Sequence, residues 1–91
     1  MPDADELREL IATIDAEIVD LIATRMEIAD ELAKAKKESS QSYWNEDKEH
    51  EVVERYLELC GEVGLSEEEA KQIADLLLKI SKDRQKQYFE K

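Results

Sequence analysis

The chain has 91 residues, of which 42% are hydrophobic and 41% are charged, with only two glycines and one proline. Tight β-hairpins usually need Gly, Pro, Asn-Gly or Asp-Gly at their turns, so this composition excludes an all-β sandwich or barrel. The apolar share is too large for a disordered acidic chain, and charges interrupt every apolar stretch before it reaches the ~18 residues of a membrane span. We therefore expect a single all-α domain over residues 1–91.

The net charge of −11 results from 24 acidic residues against 13 basic ones. An acidic surface repels phosphate backbones, and no predicted helix has the basic polar face of a membrane-surface helix, so we expect neither nucleic acid nor a membrane as partner. The N-terminal segment Met1–Glu6 is acidic, and no apolar signal-peptide core follows it. The single cysteine, Cys60, cannot form an intrachain disulfide, which is typical of a reducing compartment. We expect a cytoplasmic protein.

The first predicted helix runs from about residue 5 to residue 37. Its apolar residues recur at alternating spacings of four and three, as in a coiled coil, and nothing inside it breaks a helix. One position of this apolar seam carries a charged residue, Arg25. The apolar seam consists of Leu7, Ile11, Ile14, Ile18, Leu21, Arg25, Ile28, Leu32 and Ala35.

The length of this helix argues for a second copy of the chain. At about 1.5 Å per residue it is a rod of about 50 Å, whereas a compact chain of this size is about 30 Å across. The later helices are too short to cover the apolar seam, so we expect an intertwined homodimer of three-helix chains with a very long first helix. The alternative is a bundle in which the first helix breaks near Ala23, but no Gly or Pro supports such a break.

The second helix follows a loop that has no hydrophobic periodicity. It is predicted over about residues 46–60, with Asn45 as its N-cap and with Gly61 and Gly64 closing it. Its predicted apolar stripe consists of Val52, Tyr56, Leu59 and Val63.

The third helix is predicted over about residues 67–89. Ser66 and Glu69 have the spacing of a capping box, which marks its beginning. Its stripe begins with apolar residues and continues through polar ones: Ala70, Ala74, Leu77, Ser81, Gln85 and Tyr88.

Each predicted helix interrupts its apolar face with polar side chains. Burying a charged group without a partner costs several kcal/mol, so these groups should have partners. Polar residues that line the interior faces of three helices favour a ligand pocket inside the bundle, where helical proteins bind their ligands. The polar residues are Arg25 and Lys36 on the first helix, Asn45, Lys48 and Glu49 on the second, and Ser81 and Gln85 on the third.

Taken singly, the same residues have structural explanations. Arg25 and Glu49 could form one buried ion pair, or Arg25 could specify the register of a coiled coil. Lys36 could extend along a helix end so that its ammonium stays in water. Ser81 and Gln85 could mark the point where the third helix becomes exposed. The structural explanations and the pocket remain alternatives at this point.

Other kinds of site are excluded or have little support. His50 is the only histidine, so one chain cannot build a His-based metal site or a Ser–His–Asp triad. No glycine-rich phosphate loop is present, and Cys60 is predicted to be a buried thiol. We therefore expect no metal ion and no cofactor. Tyr43 and Trp44 precede the second helix and are predicted to cover the edge of the core.

In chain order, these motifs resemble those of the all-helical class of chorismate mutases. The resemblance extends over about residues 7–88, and the intervals between the motifs fit three helices of these lengths. The motifs are Leu7-Arg8-Glu9 with Ile14-Asp15, Leu21-Ile22-Ala23-Thr24-Arg25, Ala33-Lys34-Ala35-Lys36, Asn45-Glu46-Asp47-Lys48-Glu49, and Ser81 with Gln85.

This resemblance implies an isomerase that converts chorismate to prephenate in phenylalanine and tyrosine biosynthesis. In the family, two arginines from different chains of the dimer bind the substrate carboxylates, and by position these are Arg25 and the partner's Arg8. The spacing agrees, because Arg8 lies about 25 Å before Arg25 along one rigid helix, so one chain cannot bring both to a small ligand. The resemblance further implies that Lys36 and Gln85 contact the ether oxygen of the breaking bond, that Glu49 holds the ring hydroxyl, that Ser81 assists with a carboxylate, and that Asn45 and Lys48 line the wall.

Two positions depart from the family pattern. The family commonly has Asp at the position of Asn45 and Arg at that of Lys48, and a lysine cannot make a bidentate contact.

Two other functions are alternatives. Isochorismate-pyruvate lyases share the fold, but the resemblance implies that they lack the glutamate that Glu49 supplies here. The presence of Glu49 therefore favours the mutase. A non-catalytic dimerisation or regulatory module would have no reason to place polar side chains of three helices on interior faces.

Overall fold

A computed structural model describes residues 1–91, which form three α-helices and no strands. The helices are α1 (Ala4–Glu38), α2 (Glu46–Glu62) and α3 (Glu67–Phe89). The prediction of an all-α chain with three helices is confirmed. None of the helices combines the length and the apolar character that crossing a bilayer would require.

Side-chain caps determine where the helices begin. The Asp3 side chain accepts a hydrogen bond from the Glu6 amide at the start of α1. Asn45 caps α2. Ser66 opens α3 with a capping box, in which the Ser66 side chain accepts from the Glu69 amide and the Glu69 side chain accepts from the Ser66 amide. The predicted end of α2 was two residues too early, because Gly61 lies inside the helix. Gly64, with a φ of +85°, lies in the turn after α2, where a residue without a Cβ adopts this conformation at little cost.

The helix α3 packs against both α1 and α2, whereas α1 and α2 do not pack directly against each other. On α1 the residues buried by this packing are Met26, Ala29 and Ala33, each one position after a residue of the apolar seam. Ala29 and Ala33 are small, which allows another helix to approach α1 closely. The buried apolar residues of the chain are Met26, Ala29, Ala33, Cys60, Ala70, Ala74, Leu77 and Leu78.

The predicted apolar stripe of α2 was wrong at its C-terminal end. Leu59 and Val63 are 52% and 74% exposed, while the neighbouring Cys60 is buried. Val53 and Leu57 are half-buried and recur with Cys60 at helical spacing, so the shielded face of α2 includes these three residues. On α3, by contrast, the stripe from Ala70 to Gln85 is buried as predicted.

The chain is elongated, and its apolar seam is uncovered. Its extents are 57 × 25 × 14 Å and its radius of gyration is 16.4 Å, against about 12 Å for a compact chain of this size. No residue of α1 before Met26 is buried. Large apolar side chains on this part of the apolar seam are between 46% and 70% exposed: Leu7, Ile11, Ile14, Ile18 and Leu21.

Candidate active site

A cleft of about 310 Å³ lies among the three helices. It forms because α3 separates α1 from α2, and the volume is within the range of small-molecule sites. The apolar seam contributes Arg25, Ile28 and Leu32 to one wall, and Leu78 of α3 adds a further apolar side chain. Seven of the eight residues predicted to form the site line this cleft: Arg25, Lys36, Asn45, Lys48, Glu49, Ser81 and Gln85.

Lys36, Gln85 and Ser81 form a hydrogen-bonded chain across one side of the cleft. The Lys36 ammonium donates to Oε1 of Gln85 at 2.7 Å and to the backbone carbonyl of Tyr43 at 3.0 Å. The Gln85 Nε2 donates to Oγ of Ser81 at 2.9 Å. Because an ammonium can only donate, it fixes the orientation of the Gln85 amide. Gln85 and Ser81 are 2% and 5% exposed, so they do not mark an exposed end of α3.

The ammonium of Lys36 is only partly shielded from water and keeps donor capacity. It has three N–H groups and uses two of them within the chain, which leaves one for a ligand in the cleft. Burial lowers the pKa of Lys36 from the usual 10.5, because a less polar surrounding disfavours the charged form. Lys36 therefore points inward and does not extend into water from a helix end.

Glu49 and Arg25 do not form the ion pair considered in the sequence analysis. The Glu49 Oε2 instead accepts a hydrogen bond from the indole Nε1 of Trp44 at 3.1 Å. Arg25 is half-buried in the cleft wall, with no carboxylate within ion-pairing distance. Both groups are thus able to contact a ligand.

Asn45 and Lys48 line the mouth of the cleft and are exposed. The Oδ1 of Asn45 accepts from the backbone amides of Asp47 and Lys48, at 2.9 and 3.2 Å, so its carbonyl is occupied by capping and its NH₂ group is the part left for a ligand. The Lys48 ammonium lies 3.3 Å from a carboxylate oxygen of Glu51, in an exposed pair.

The cleft has the opposite charge to the protein as a whole. Arg25, Lys36, Lys48 and Arg55 line it together with one carboxylate, Glu49, in a chain with a net charge of −11. Cationic groups in a concave site raise the local concentration of anions. The cleft is therefore suited to a small anionic ligand.

Arg8 is the one predicted site residue outside the cleft. It lies near the start of α1, is exposed, and pairs with Asp5 at 2.9 Å. On a continuous helix it is about 25 Å from Arg25, as the spacing predicts.

Two polar residues that line the cleft, Arg55 and Trp44, are not among those predicted from the sequence. Arg55 follows Lys48 by two helical turns, so the same face of α2 carries both, and helical spacing was a usable signal. Trp44 precedes the helix and has no such signal. No three His, Cys, Asp or Glu side chains are grouped so that they could hold a metal ion.

Comparison with known proteins shows which family the chain resembles. Residues 7–86 match the model of the family described as chorismate mutase type II. The intracellular chorismate mutase of Mycobacterium tuberculosis is 34% identical over 84 residues, which cover 92% of this chain and 73% of the relative. The chorismate mutase of Methanocaldococcus jannaschii is 32% identical over 85 residues, which cover 93% of this chain and 86% of the relative. The chain therefore belongs to the chorismate mutase type II family.

Proposed function

We propose that this chain is a chorismate mutase, which converts chorismate to prephenate. The observation that carries the proposal is the Lys36–Gln85 pair in a cationic cleft, in a chain of this family. The reaction is a Claisen rearrangement in which one C–O bond breaks and one C–C bond forms within the same molecule. It needs no external nucleophile and no obligatory proton transfer, so polar side chains that bind and orient the substrate can catalyse it.

The cationic residues bind the two carboxylates of the substrate in this proposal. Arg25 is half-buried and has no carboxylate partner in the chain, so it is free to bind one of them through two parallel hydrogen bonds. Ser81 assists at a carboxylate through its hydroxyl. Asn45 and Lys48 line the wall at the mouth of the cleft. Binding both carboxylates holds the substrate in the folded shape that the reaction requires.

Lys36 and Gln85 stabilise the charge that develops on the ether oxygen as the C–O bond breaks. The remaining N–H of Lys36 and the second N–H of Gln85 are the donors that support this role. Donors already held in position act without reorganising during the reaction, which makes such electrostatic stabilisation effective. Glu49 accepts a hydrogen bond from the ring hydroxyl.

The active unit in this proposal is a homodimer, with one catalytic domain per chain. The apolar seam before Arg25 is about half exposed, and an apolar strip of this length is a surface for another copy of the same helix. A second copy also supplies the partner's Arg8, which one chain cannot bring to its own cleft. Arg8 pairs only with the exposed Asp5, an interaction weak enough to exchange for a substrate carboxylate.

The direct test is to incubate purified protein with chorismate and follow substrate loss together with prephenate formation. An Arg25→Ala variant, purified in the same way, controls for contaminating host enzyme. We expect turnover by the wild-type protein and little by the variant. No turnover by the wild type would contradict the proposed function, and equal turnover by both proteins would contradict the proposed site.

A parallel incubation with isochorismate, with pyruvate as the measured product, tests the related lyase. We expect the mutase reaction to be much faster, because Glu49 is available in the cleft to hold the ring hydroxyl of chorismate. Faster release of pyruvate than of prephenate would reverse the assignment.

A further inference from the structure

We propose that Trp44 is a positioning residue that holds the Glu49 carboxylate ready for the substrate, an inference that rests on the function proposed above. Trp44 lines the cleft, and both side chains are half-buried. The indole Nε1 donates to Oε2 of Glu49 at 3.1 Å. From the sequence, Trp44 is predicted only to cover the edge of the core.

The hydrogen bond restricts a side chain that would otherwise be mobile. A glutamate on a helix loses considerable rotamer freedom when it is ordered, so a carboxylate fixed before the substrate arrives has less entropy to lose on binding. The indole is a donor only, and it therefore always engages Glu49 as an acceptor. It occupies Oε2, while no group of the chain donates to Oε1, which remains available for a substrate hydroxyl.

Two ammonium groups hold the indole ring itself. The Nζ of Lys36 lies 5.7 Å from the ring centroid and the Nζ of Lys82 lies 5.4 Å from it, both within the range of cation–π attraction. Through these contacts, Trp44 connects Glu49 on α2 with one lysine of α1 and one of α3. The indole thus links the positions of Glu49 and Lys36, which contact different parts of the substrate.

The adjacent aromatic residue differs from Trp44 in each of these respects. The Tyr43 ring packs at 6.0 Å against Phe89 and does not line the cleft, so it is the residue that covers the edge of the core. A ring that only covered the edge of the core would not need the indole N–H that Trp44 has.

Trp44→Phe tests the proposal because it keeps a ring and removes the N–H. We expect kcat/KM to fall about tenfold, the effect of losing one hydrogen bond to a charged group in a partly exposed site. Tyr88→Phe is the matched control, since it removes a polar hydrogen from an aromatic ring outside the cleft, and it should keep wild-type kcat/KM.

A double-mutant cycle separates positioning from a structural role. Once Glu49→Ala has removed the acceptor, Trp44→Phe should change kcat/KM by less than about twofold, because the two residues act through one contact. A tenfold loss in both backgrounds would indicate a structural effect and would overturn the proposal.

A second replacement guards against misfolding of Trp44→Phe. Trp44 is the only tryptophan, so growth with benzothienylalanine replaces this one indole by a ring of the same shape in which sulfur takes the place of N–H. We expect the same tenfold loss as for Trp44→Phe, about one hydrogen bond. Wild-type turnover together with unchanged kcat/KM in the substituted protein would overturn this inference alone, whereas a wild-type protein without turnover would contradict the proposed function and this inference together.

Discussion

The two halves of α1 have the same apolar periodicity but different surroundings. After Arg25, the apolar seam lines the cleft through Ile28 and Leu32, while α3 covers the adjacent face. Before Arg25, no residue of α1 is buried by the rest of the chain. The residues of the apolar seam are similarly exposed in both halves, Ile14 at 53% and Ile28 at 63%, so the halves differ in what packs beside the apolar seam. A periodic pattern thus identifies the apolar face of a helix without identifying what covers it. We infer that the chain organises the second half itself and that a second copy covers the first.

Substitutions in the half of α1 that lines the cleft should reduce activity the most. Lys36→Ala removes the donor nearest to Gln85, and we expect kcat to fall by about 10²–10³, as for other donors that stabilise a developing negative charge. Lys34→Ala is the matched control, because Lys34 is exposed on the same helix two residues earlier. Initial-rate kinetics with circular dichroism as a folding check measures the effect. A loss smaller than tenfold for Lys36→Ala would contradict its assigned role.

A substitution in the half of α1 before Arg25 should have a smaller effect on activity. Ile14→Glu places a charge in the apolar seam, and we expect dissociation of the proposed dimer with a loss of activity of about tenfold or more, because an unpaired charge buried in an interface costs several kcal/mol. Ala16→Glu places the same charge on the opposite face of α1 and should leave the dimer intact. Analytical ultracentrifugation distinguishes the two. If both variants sediment like the wild type, or if the wild type is itself a monomer, the apolar seam is not an interface.

The pH dependence of kcat/KM tests whether the reaction requires protonated Lys36. Lys36 carries a positive charge only while it is protonated, and burial lowers its pKa, so kcat/KM should decline on the alkaline side with an apparent pKa below 10.5. In Lys36→Arg the guanidinium stays protonated, and the residual activity should lack this decline. A wild-type profile that stays flat up to pH 10.5 would contradict this prediction.

The smallest expected effect concerns the contact between α1 and α3. Arg84 donates two hydrogen bonds to Asp30, and these lower the pKa of that carboxyl below its usual 3.8. A lowered pKa stabilises the fold above pH 3.8, and this contribution disappears as the pH falls through the native-state value. Asp30→Asn should therefore be slightly less stable than the wild type at neutral pH, because the pair is nearly half exposed, and equally stable in strong acid.

Urea unfolding of both proteins at the two pH values measures this difference. Glu31→Gln, an exposed neighbour for which no ion pair is formed, is the control. A stability difference that persists unchanged in acid would show that the contact acts through packing and not through charge.

Much of the fold was predictable from local signals. Caps such as Asn45 and Ser66 bring donors and acceptors of their own, so they specify where a helix begins without reference to other helices. The exposed Leu59 and Val63 were not predictable, because a short helix offers more than one apolar face and the packing of α3 decides which is buried. The end of α2 was likewise not predictable from its glycines, because Gly61 is tolerated inside the helix and the turn uses Gly64.

The candidate site was predictable where residues recur at helical spacing. Periodicity and motif order together identified Lys36 and Gln85, which the structure brings within 2.7 Å although they are far apart in the chain. Trp44 could not be identified in this way, because its contact with Glu49 depends on how the loop before α2 returns over the cleft. A single residue in a loop belongs to no periodic pattern, so the sequence does not predict which way its side chain points.

Complementation between two inactive variants tests most directly whether two chains share each site. Arg8→Ala and Arg25→Ala are assayed separately, then mixed, unfolded and refolded together. In a shared-site dimer, each mixed dimer has one site with both arginines intact, so random pairing should restore about a quarter of wild-type activity. Activity of the mixture equal to the mean of the two separate variants would contradict a site built from two chains.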